Sequence, residues 1–305
     1  MASKSRQRAE ARTRARFSLK WRSVVAKGLM HLVLIVVAIY VLFPMWWAFS
    51  SSLKGSKELY SADPTLWPKN ASWANYTGTL FDMTRFNVLE QLRNSLLVTG
   101  GTVLLTALLA TLAGYGFARI RFRGRDLIFI VFLLSLFIPQ SGGLMAAYEL
   151  MSYLHLRNNL LGLILAFSSG LTVPVFIMRQ SFQALPNELD DAARIDGANR
   201  WQFFWRIGIP MVSAGITVVC IFTFISAWGE YLFTYTMEDV QGLYTLAVAV
   251  AQTQIPNAAF VDIPQFSAYG ATAAIAIMAA VPALLIFILL QKWFVRGLAE
   301  GALKF

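Results

Sequence analysis

The sequence predicts an all-α membrane protein that crosses the bilayer six times. Only 14% of its 305 residues are charged, whereas a soluble domain carries roughly 25%. Six runs without a formal charge are each long enough to cross about 30 Å of hydrocarbon at about 1.5 Å per residue. The net charge of +10 comes from bases at the chain ends and in short segments between the apolar runs. This distribution is typical of a membrane protein and argues against a nucleic-acid partner.

The N-terminal segment, residues 1–27, is predicted to be a basic tail. It contains nine Lys or Arg residues and one acid, Glu10. Ser, Gln and Ala supply much of the remainder, and such a composition buries too little apolar surface to order a chain. We expect the first part of the tail to be unstructured, either solvated or in contact with anionic lipid headgroups.

Residues 28–50 are predicted to be the first membrane span. A cleaved signal peptide is the competing interpretation, but the apolar run is longer than the roughly 7–15 residues of a signal-peptide core and lacks a clean cleavage site. Pro44, Trp46 and Trp47 suit an exit at the membrane interface. Residues 51–93 then form a polar loop that ends in a short interfacial helix.

The other five predicted spans follow in order. They are residues 94–118, 127–148, 160–178, 207–229 and 266–291. Pro139, Pro174 and Pro282 lie inside three of them and are candidate kinks, because membrane helices tolerate proline where neighbours bond the freed carbonyl.

The distribution of bases predicts the orientation of the chain. Of the 26 Lys and Arg residues, 20 lie on the side of the two termini and six on the other side. Cytoplasmic segments carry the excess of bases. Both termini are therefore predicted to be cytoplasmic.

Several kinds of chemistry have no sequence pattern to support them. No G-x-x-x-x-G-K-[ST] phosphate loop occurs, so this chain is not expected to hydrolyse ATP. Cys220 is the single cysteine, and His31 and His155 are far apart, so neither a disulfide nor a metal site is predicted. No Ser/His/Asp or His/Glu arrangement suggests an enzyme. Glu149 and Glu230 lie at span ends, and we interpret each as a carboxylate in water at the membrane interface.

The polar segment 186–210, PNELDDAARIDGANRWQFFWRIGIP, interrupts the apolar runs on the predicted cytoplasmic side. Asn187 is predicted to cap a first helix. Glu188, Asp190 and Asp191 then occupy its first turn, where the positive end of the helix dipole favours acids.

The rest of this segment predicts a helix-turn-helix with an exposed face. Small and apolar side chains supply that face: Leu189, Ala192, Ala193 and Ile195. Gly197 is predicted to end the first helix in the left-handed conformation, and Asp196 to serve the following turn or a partner. Asn199 is predicted to cap a second helix that runs into the fifth span. A helix that lies on headgroups is usually basic, so the acidic first helix is expected to project toward a soluble partner.

The spacing of this segment resembles a known loop. The pattern D-A-A-x-x-x-G, nine residues, then I-x-x-P is similar to the E-A-A-x-x-x-G-x9-I-x-L-P cytoplasmic loop of permease subunits in binding-protein-dependent ABC importers. The residues that carry this pattern are Asp191, Ala192, Ala193, Gly197, Ile207 and Pro210. Asp191 replaces the usual Glu, and Ile209 replaces the usual Leu; both departures are conservative.

Further segments resemble the carbohydrate importers, in particular the second, maltose-type permease. They are A-R-I-D-G-A at 193–198, N-S-L at 94–96, A-W-G-E-Y-L-F at 227–233 and the ending Q-K-W-F-V-R-G-L-A-E-G-A-L-K-F. Gly229 departs from the Asn that is common in this family, which weakens any inference about the solute from that segment.

The resemblance implies a type I ABC importer permease, with a permease domain at 28–305, in a bacterial or archaeal cell membrane. It implies a second permease subunit, an extracytoplasmic solute-binding protein that delivers a sugar, and two ATPase subunits that bind ATP and Mg and dock at a coupling loop, residues 183–210. No cofactor is expected on this chain. The implied coupling residues are Glu188, Asp191, Ala192, Ala193, Asp196, Gly197, Ala198, Ile207 and Pro210.

Polar and aromatic residues at span ends are candidates for the translocation path, with interfacial anchoring as the alternative. They are Asn94, Ser95, Trp228, Glu230 and Tyr231. The alternative function is a self-sufficient secondary transporter of a small polar solute. It predicts an intramembrane acid or base and often an inverted repeat, and we find neither in the sequence. A membrane-bound enzyme is a third hypothesis, which the lack of a polar constellation within the spans disfavours.

Overall fold

The computed structural model describes residues 2–82, 87–138, 140–252 and 268–302, and the side chains of 25–80, 87–138, 142–240, 242–252 and 268–289. The regular secondary structure of these residues is helical and includes no strand. The helices are α1 (Ala2–Ser52), α2 (Ser56–Leu59), α3 (Ala74–Thr77), α4 (Val88–Arg119), α5 (Arg125–Leu134), α6 (Leu144–Tyr153), α7 (Leu160–Ser168), α8 (Thr172–Gln183), α9 (Glu188–Ile195), α10 (Arg200–Phe203), α11 (Ile209–Met211), α12 (Ser213–Trp228), α13 (Leu232–Met237), α14 (Leu246–Gln252) and α15 (Ala268–Ala302).

Helix α4 is the centre of the packing. It contacts α7, α8, α12 and α14. It lies close to α8 at Gly114, where an added Cβ would lie 2.5 Å from the Cβ of Met178. A side chain at Gly114 would therefore separate the two helices.

Helices α1 and α15 pack against each other at the edge of this bundle. The side chains of α1 remain largely exposed; Tyr40, for example, is 81% exposed. A helix that is apolar on all sides and exposed is typical of one that faces lipid or another membrane subunit.

Three helices are long and apolar enough to cross a membrane: Val25–Ser52, Val88–Arg119 and Ala268–Leu289. Two bent pairs meet the same criterion, Leu160–Ser168 with Thr172–Gln183 and Arg200–Met211 with Ser213–Trp228, with bends of 52° and 73°. The all-α fold and the multi-pass character predicted from the sequence agree with this arrangement.

The N-terminal tail differs from the expectation. Residues from Ala2 onward are helical and continuous with the first predicted span, in one helix that ends at Ser52. The segment 2–27 contains neither Gly nor Pro and is rich in Ala, Arg, Lys and Gln, which are strong helix formers.

The third predicted span, 127–148, is also different, because it is two helices rather than one. Helix α5 ends at Leu134, and α6 starts at Leu144. Ile138 between them has an extended backbone, with ψ of 115°. Ile138 precedes Pro139, and the residue before a proline is disfavoured from the helical conformation.

The remaining prolines act differently from one another. The fourth predicted span breaks between Ser168 and Thr172, and Pro174 lies in the first turn of α8, where a missing N–H costs no intrahelical bond. Pro282 lies inside the continuous helix α15. The predicted interfacial helix before the second span is part of α4, which begins at Val88.

Candidate functional site

The segment 186–210 forms two helices joined by a tight turn, as predicted. Gly197 has φ of +80°. Its N–H donates to the carbonyl of Arg194 at 3.0 Å, and the N–H of Ala198 donates to the carbonyl of Ala193 at 2.9 Å. These two bonds and the left-handed glycine form a Schellman motif. The predicted role of Gly197 as the helix-ending residue is confirmed.

The second helix starts with a capping box. The N–H of Gln202 donates to Oδ1 of Asn199, and the N–H of Asn199 donates to Oε1 of Gln202, both at 2.8 Å. Asn199 therefore caps α10 as predicted. The helix does not run straight into the fifth span, however, because the chain bends by 73° between Met211 and Ser213.

The predicted cap at Asn187 is wrong. Asn187 has helical backbone angles and its side chain makes no cap bond. Its Oδ1 instead accepts a hydrogen bond from Nη1 of Arg119 at 2.9 Å. The long Arg119 side chain reaches this oxygen from α4, which local sequence spacing does not reveal.

Beneath the turn lies a buried aromatic cluster. The ring of Tyr115 on α4 lies 5.4 Å from that of Phe182 and 5.0 Å from that of Phe204, between centroids. Phe203 stacks on Tyr115 at 6.4 Å. Since α4, α8 and α10 all contribute rings, this cluster fixes the base of the loop to the bundle.

Helix α9 presents two distinct faces. Glu188, Asp191, Ala192 and Ile195 are spaced i, i+3, i+4 and i+7 and are all exposed, with Ile195 at 87%. Residues at this spacing share one face of a helix. We call these four residues the docking face.

The opposite face of α9 is turned to the protein. Ala193 is 5% exposed and packs in the same cluster as Tyr115 and Phe203. The expectation that Ala193 belongs to an exposed small-residue face is therefore wrong. Ala192 and Ala193 are adjacent and identical, so the sequence alone does not show which of the two faces the protein.

The acids of the loop also divide between the two faces. Asp190 Oδ2 accepts from Nη1 of Arg119 at 2.8 Å, in an ion pair whose arginine is 6% exposed. Glu188, Asp191 and Asp196 are exposed and form no ion pair within the described part of the chain. These are the three acids that the sequence interpretation named as coupling residues, and all three are available to a partner.

The other predicted coupling residues follow α9 in the chain. Ala198 and Ile207 are half-buried and pack against the aromatic cluster. Pro210 is exposed in the first turn of α11, where proline is favoured.

The candidate path residues occupy the other end of the bundle, and most of them have structural partners. Asn94 is fully buried, and its Nδ2 donates to the carbonyls of Gly242 at 2.8 Å and Tyr244 at 3.1 Å. Ser95 Oγ accepts from the N–H of Leu246 at 2.7 Å. Both residues hold the segment between α13 and α14 against α4.

The other three path residues lie around the junction of α12 and α13. Trp228 Nε1 donates to the carbonyl of Ala279 on α15 at 3.0 Å. The Glu230 carboxylate accepts from the N–H groups of Phe233 and Thr234 at the start of α13. Tyr231 is 48% exposed, and its side chain makes no hydrogen bond to the described residues.

A buried carboxylate, missed in the sequence, lies near this end. Glu238 is 1% exposed, and its Oε1 accepts from the N–H of Asn159 at 3.3 Å. Burial raises its pKa from 4.5 to about 7, although nearby Arg157 favours the charged form. Arg157 itself pairs with Asp239 at 2.6 Å. The loop after α6 and the segment after α13 are thus joined by polar contacts.

Arg119 is the main functional candidate that sequence reasoning missed. It lies at the end of a long apolar run, and the sequence interpretation uses it only as one of the 20 bases on the side of the two termini. Its position in the sequence could have identified it, because it is the first base after a span. A long basic side chain at that position can extend along the protein surface to neighbouring loops.

The chain is similar to known transport proteins. Residues 15–300 match the model of a family described as the binding-protein-dependent transport system inner membrane component. The maltodextrin transport system permease protein MdxG of Bacillus subtilis is 30% identical, with 90% of this chain and 95% of MdxG covered. The sn-glycerol-3-phosphate transport system permease protein UgpE of Pectobacterium atrosepticum is 31% identical, with 89% and 95% covered.

Two further comparisons agree. The diacetylchitobiose uptake system permease protein NgcG of Streptomyces coelicolor is 28% identical, with 91% of this chain and 89% of NgcG covered. A crystal structure of a bacterial ABC transporter involved in the import of the acidic polysaccharide alginate contains a chain of the same fold, with a TM-score of 0.79, 22% identity, and 90% of this chain and 98% of that chain covered.

The family expected from the loop motif is therefore confirmed. A permease carries a solute and performs no chemistry on it, in agreement with the lack of a catalytic pattern in the sequence. The chain belongs to the family of inner membrane components of binding-protein-dependent transport systems, as a permease subunit of an ABC importer.

Proposed function

We propose that this permease moves a sugar or sugar-like solute into the cell, driven by ATP hydrolysis on separate ATPase subunits that dock on segment 186–210. The relatives support the solute class, since their names specify diacetylchitobiose, maltodextrin and sn-glycerol-3-phosphate. All three are rich in hydroxyl groups. Radiolabelled uptake of each, in cells with and without this chain, tests the solute class.

The docking face of α9 is the observation that supports ATPase coupling at this site. It combines two exposed acids, Glu188 and Asp191, with the small Ala192 and the 87% exposed Ile195. An apolar side chain with two acids beside it on one helix face suits a groove that has an apolar floor and basic side chains at its edge. The Schellman turn and the aromatic cluster hold this face rigidly on the bundle.

The partners in this proposal are a second permease subunit, two ATPase subunits that carry ATP and Mg, and an extracytoplasmic solute-binding protein. The family description names binding-protein dependence. A second solved structure, of an alginate ABC transporter in complex with a periplasmic protein bound to an alginate pentasaccharide, shares the fold with a TM-score of 0.58 at 18% identity. A complex of the proposed composition would place the 186–210 loop and the binding protein at opposite ends of the bundle.

We also propose six spans with both termini in the cytoplasm, a basic tail at 1–27 and a permease domain at 28–305. The 20-to-six division of bases supports this orientation. In this proposal α5 and α6 together form the span that is broken near Ile138. A cysteine placed at Lys69 should react with an impermeant maleimide in intact cells, and one placed at Arg123 should react only after permeabilisation. The reverse pattern would refute the orientation.

One substitution tests the docking face directly. Ile195→Arg should reduce the ATPase recovered with the tagged permease by about tenfold, since it places a bulky charge in the apolar centre of the contact. Tyr153→Arg is the matched control, because Tyr153 is 82% exposed at the end of α6, remote in sequence from the loop. Equal recovery with both variants would refute docking at α9.

A further inference from the structure

The side chain of Arg119 joins three consecutive parts of the chain that precede and start the docking helix. Its Nε and Nη2 donate to the carbonyl of Phe182 at 3.1 and 2.9 Å, and Nη2 also donates to the carbonyl of Leu185. Its Nη1 donates to Oδ1 of Asn187 at 2.9 Å and to Oδ2 of Asp190 at 2.8 Å. One guanidinium therefore contacts the end of α8, the connection and the first turn of α9.

This set of bonds uses the whole donor capacity of the group. A guanidinium has five N–H donors in a fixed plane, and each finds an acceptor here. The last carbonyls of α8 lack intrahelical partners and favour a cation. A lysine at this position could offer three donors from one point, which would not reach all of these acceptors.

A second contact joins α4 to the other arm of the loop. Tyr115, about one turn before Arg119, packs its ring against Phe203 and Phe204 and donates its O–H to the carbonyl of Arg200 at 3.4 Å. Helix α4 thus contacts α9 through Arg119 and α10 through Tyr115.

The far end of α4 is attached in a similar way. The Asn94 amide holds the carbonyls of Gly242 and Tyr244, and the Ser95 hydroxyl holds the N–H of Leu246. About 38 Å of helix separates Asn94 from Arg119 at 1.5 Å per residue. Helix α4 is one unbroken helix between these two sets of bonds.

The two covalent paths from the loop to the bundle are less direct. Toward the N-terminus, α8 is bent by 52° against α7. From α10 the chain passes through a π-helical segment, Phe204–Gly208, and then bends by 73° before α12. A displacement of α9 along that path meets a bend and an irregular turn. The path through Arg119 enters a continuous helix at once.

We infer that Arg119 is a positioning residue for the coupling of ATP hydrolysis to transport. It fixes α9 on α4, so that α4 carries a displacement of α9 to the 242–246 segment at the opposite end of the bundle. This inference rests on the proposed docking of an ATPase at α9. It adds a route to the opposite end of the bundle that the sequence interpretation did not contain.

The test uses the complete reconstituted transporter, with the partner permease, ATPase subunits and binding protein. Arg119→Gln should leave the ATPase subunits in the complex and reduce the stimulation of ATP hydrolysis by solute-loaded binding protein by about tenfold, within the range of measured coupling energies. Arg123→Gln is the matched control, because Arg123 is exposed in the same cytoplasmic segment and forms no ion pair among the described residues. Asp190→Asn, which removes the charge from one acceptor and leaves the other four bonds in place, should reduce the stimulation in the same direction by less.

A distance measurement separates coupling from simple stability. Spin labels at Leu66 and Val240, both exposed at the outer end, are introduced in a Cys220→Ser background. The distance between them should respond to ATP in the Arg123→Gln complex and not in the Arg119→Gln complex.

Each outcome has one meaning. Stimulation and distance responses that match the control would overturn the role of Arg119, and so would loss of the ATPase subunits from the Arg119→Gln complex, since Arg119 would then act on docking. An ATPase missing from the unmodified complex would instead refute the proposed function.

Discussion

Arg119 and Asp190 form an ion pair at 2.8 Å across 71 positions of sequence. This pair divides the acids of the 186–210 loop into one that serves the fold and three that are available to another subunit. It also gives α9 a defined rotation, because Asp190 must point to α4. That rotation turns Ile195 outward and Ala193 inward.

Substitutions at two adjacent alanines should separate docking from folding. Ala193→Arg places a long charged side chain in a buried position against Tyr115, so we expect less permease in the membrane. Ala192→Arg lies on the exposed docking face, so we expect normal permease content and loss of ATPase from the complex. Immunoblots of membranes and pull-downs measure the two effects. Equal membrane content for both variants would contradict the assignment of faces.

Gly197 should be replaceable only by residues that accept the left-handed conformation. Proline fixes φ near about −65°, so Gly197→Pro should abolish solute uptake while the protein still inserts. Asn tolerates the left-handed region, and an added Cβ at Gly197 would meet nothing within 4 Å, so Gly197→Asn should retain most uptake. Uptake by the proline variant at the level of the asparagine variant would show that the turn has no role in coupling.

Two glycines on α4 provide a matched pair for the packing of the bundle. An added Cβ at Gly114 would lie 2.5 Å from the Cβ of Met178, whereas one at Gly116 would meet nothing within 4 Å. Gly114→Ala should therefore destabilise the protein by about 1–3 kcal/mol. Gly116→Ala should not, because alanine favours the helix. Thermal unfolding of the purified permease in detergent measures both, and equal melting temperatures would contradict the close contact of α4 with α8.

Stability should depend on pH through Glu238. Its pKa is raised by burial from 4.5 to about 7, so the folded protein keeps a proton between these values that the unfolded chain loses. The stability that this proton supports is fully present below about pH 4.5 and is lost as the pH rises through about 7. Glu238→Gln should therefore melt at a temperature close to wild type at pH 5 and above it at pH 8.

The exposed carboxylate Glu149 provides the control for this measurement. Glu149→Gln should leave the difference in melting temperature between pH 5 and pH 8 unchanged. A Glu238→Gln variant with the same pH dependence as wild type would show that the carboxyl is solvated.

Two candidate path residues should behave differently from each other. Asn94→Ala leaves the part-buried carbonyl of Gly242 and the buried carbonyl of Tyr244 without their side-chain donor, which should cost about 1–3 kcal/mol of stability. Tyr231→Ala removes a half-exposed ring and should leave the melting temperature unchanged while it alters which solutes stimulate ATP hydrolysis. If Tyr231→Ala preserved both rate and selectivity, the ring would be an interfacial anchor.

The sequence predicted the features that depend on local spacing. The left-handed turn at Gly197 and the cap at Asn199 follow from residues a few positions apart, and both are confirmed. The family followed from a motif of fixed spacing. The long apolar helices at either end of the chain, α1 and α15, followed from composition.

The features that escaped prediction depend on contacts between distant segments. The burial of Ala193 is set by Tyr115 on α4, and the side chain of Asn187 is drawn away from its cap position by Arg119. The bend before α12 occurs at Val212, a residue type with no preference for a break. Periodicity alone does not identify the inward face of an eight-residue helix whose small residues are adjacent. The sequence therefore predicts both Ala192 and Ala193 to be exposed, whereas Ala193 is buried.

The turn at Gly197 and the cap at Asn199 are closed by hydrogen bonds among only ten consecutive residues, 193–202. The conformation of the turn and of the cap therefore depends on hydrogen bonds within this short segment and not on hydrogen bonds to the membrane helices. With the proposed docking at α9, the lipid-facing surfaces and the accepted solute can change while the angle of the docking face stays the same. Loop exchange between permeases should consequently preserve the bend, and success of a chimera will depend on whether the recipient offers an arginine at the position of Arg119.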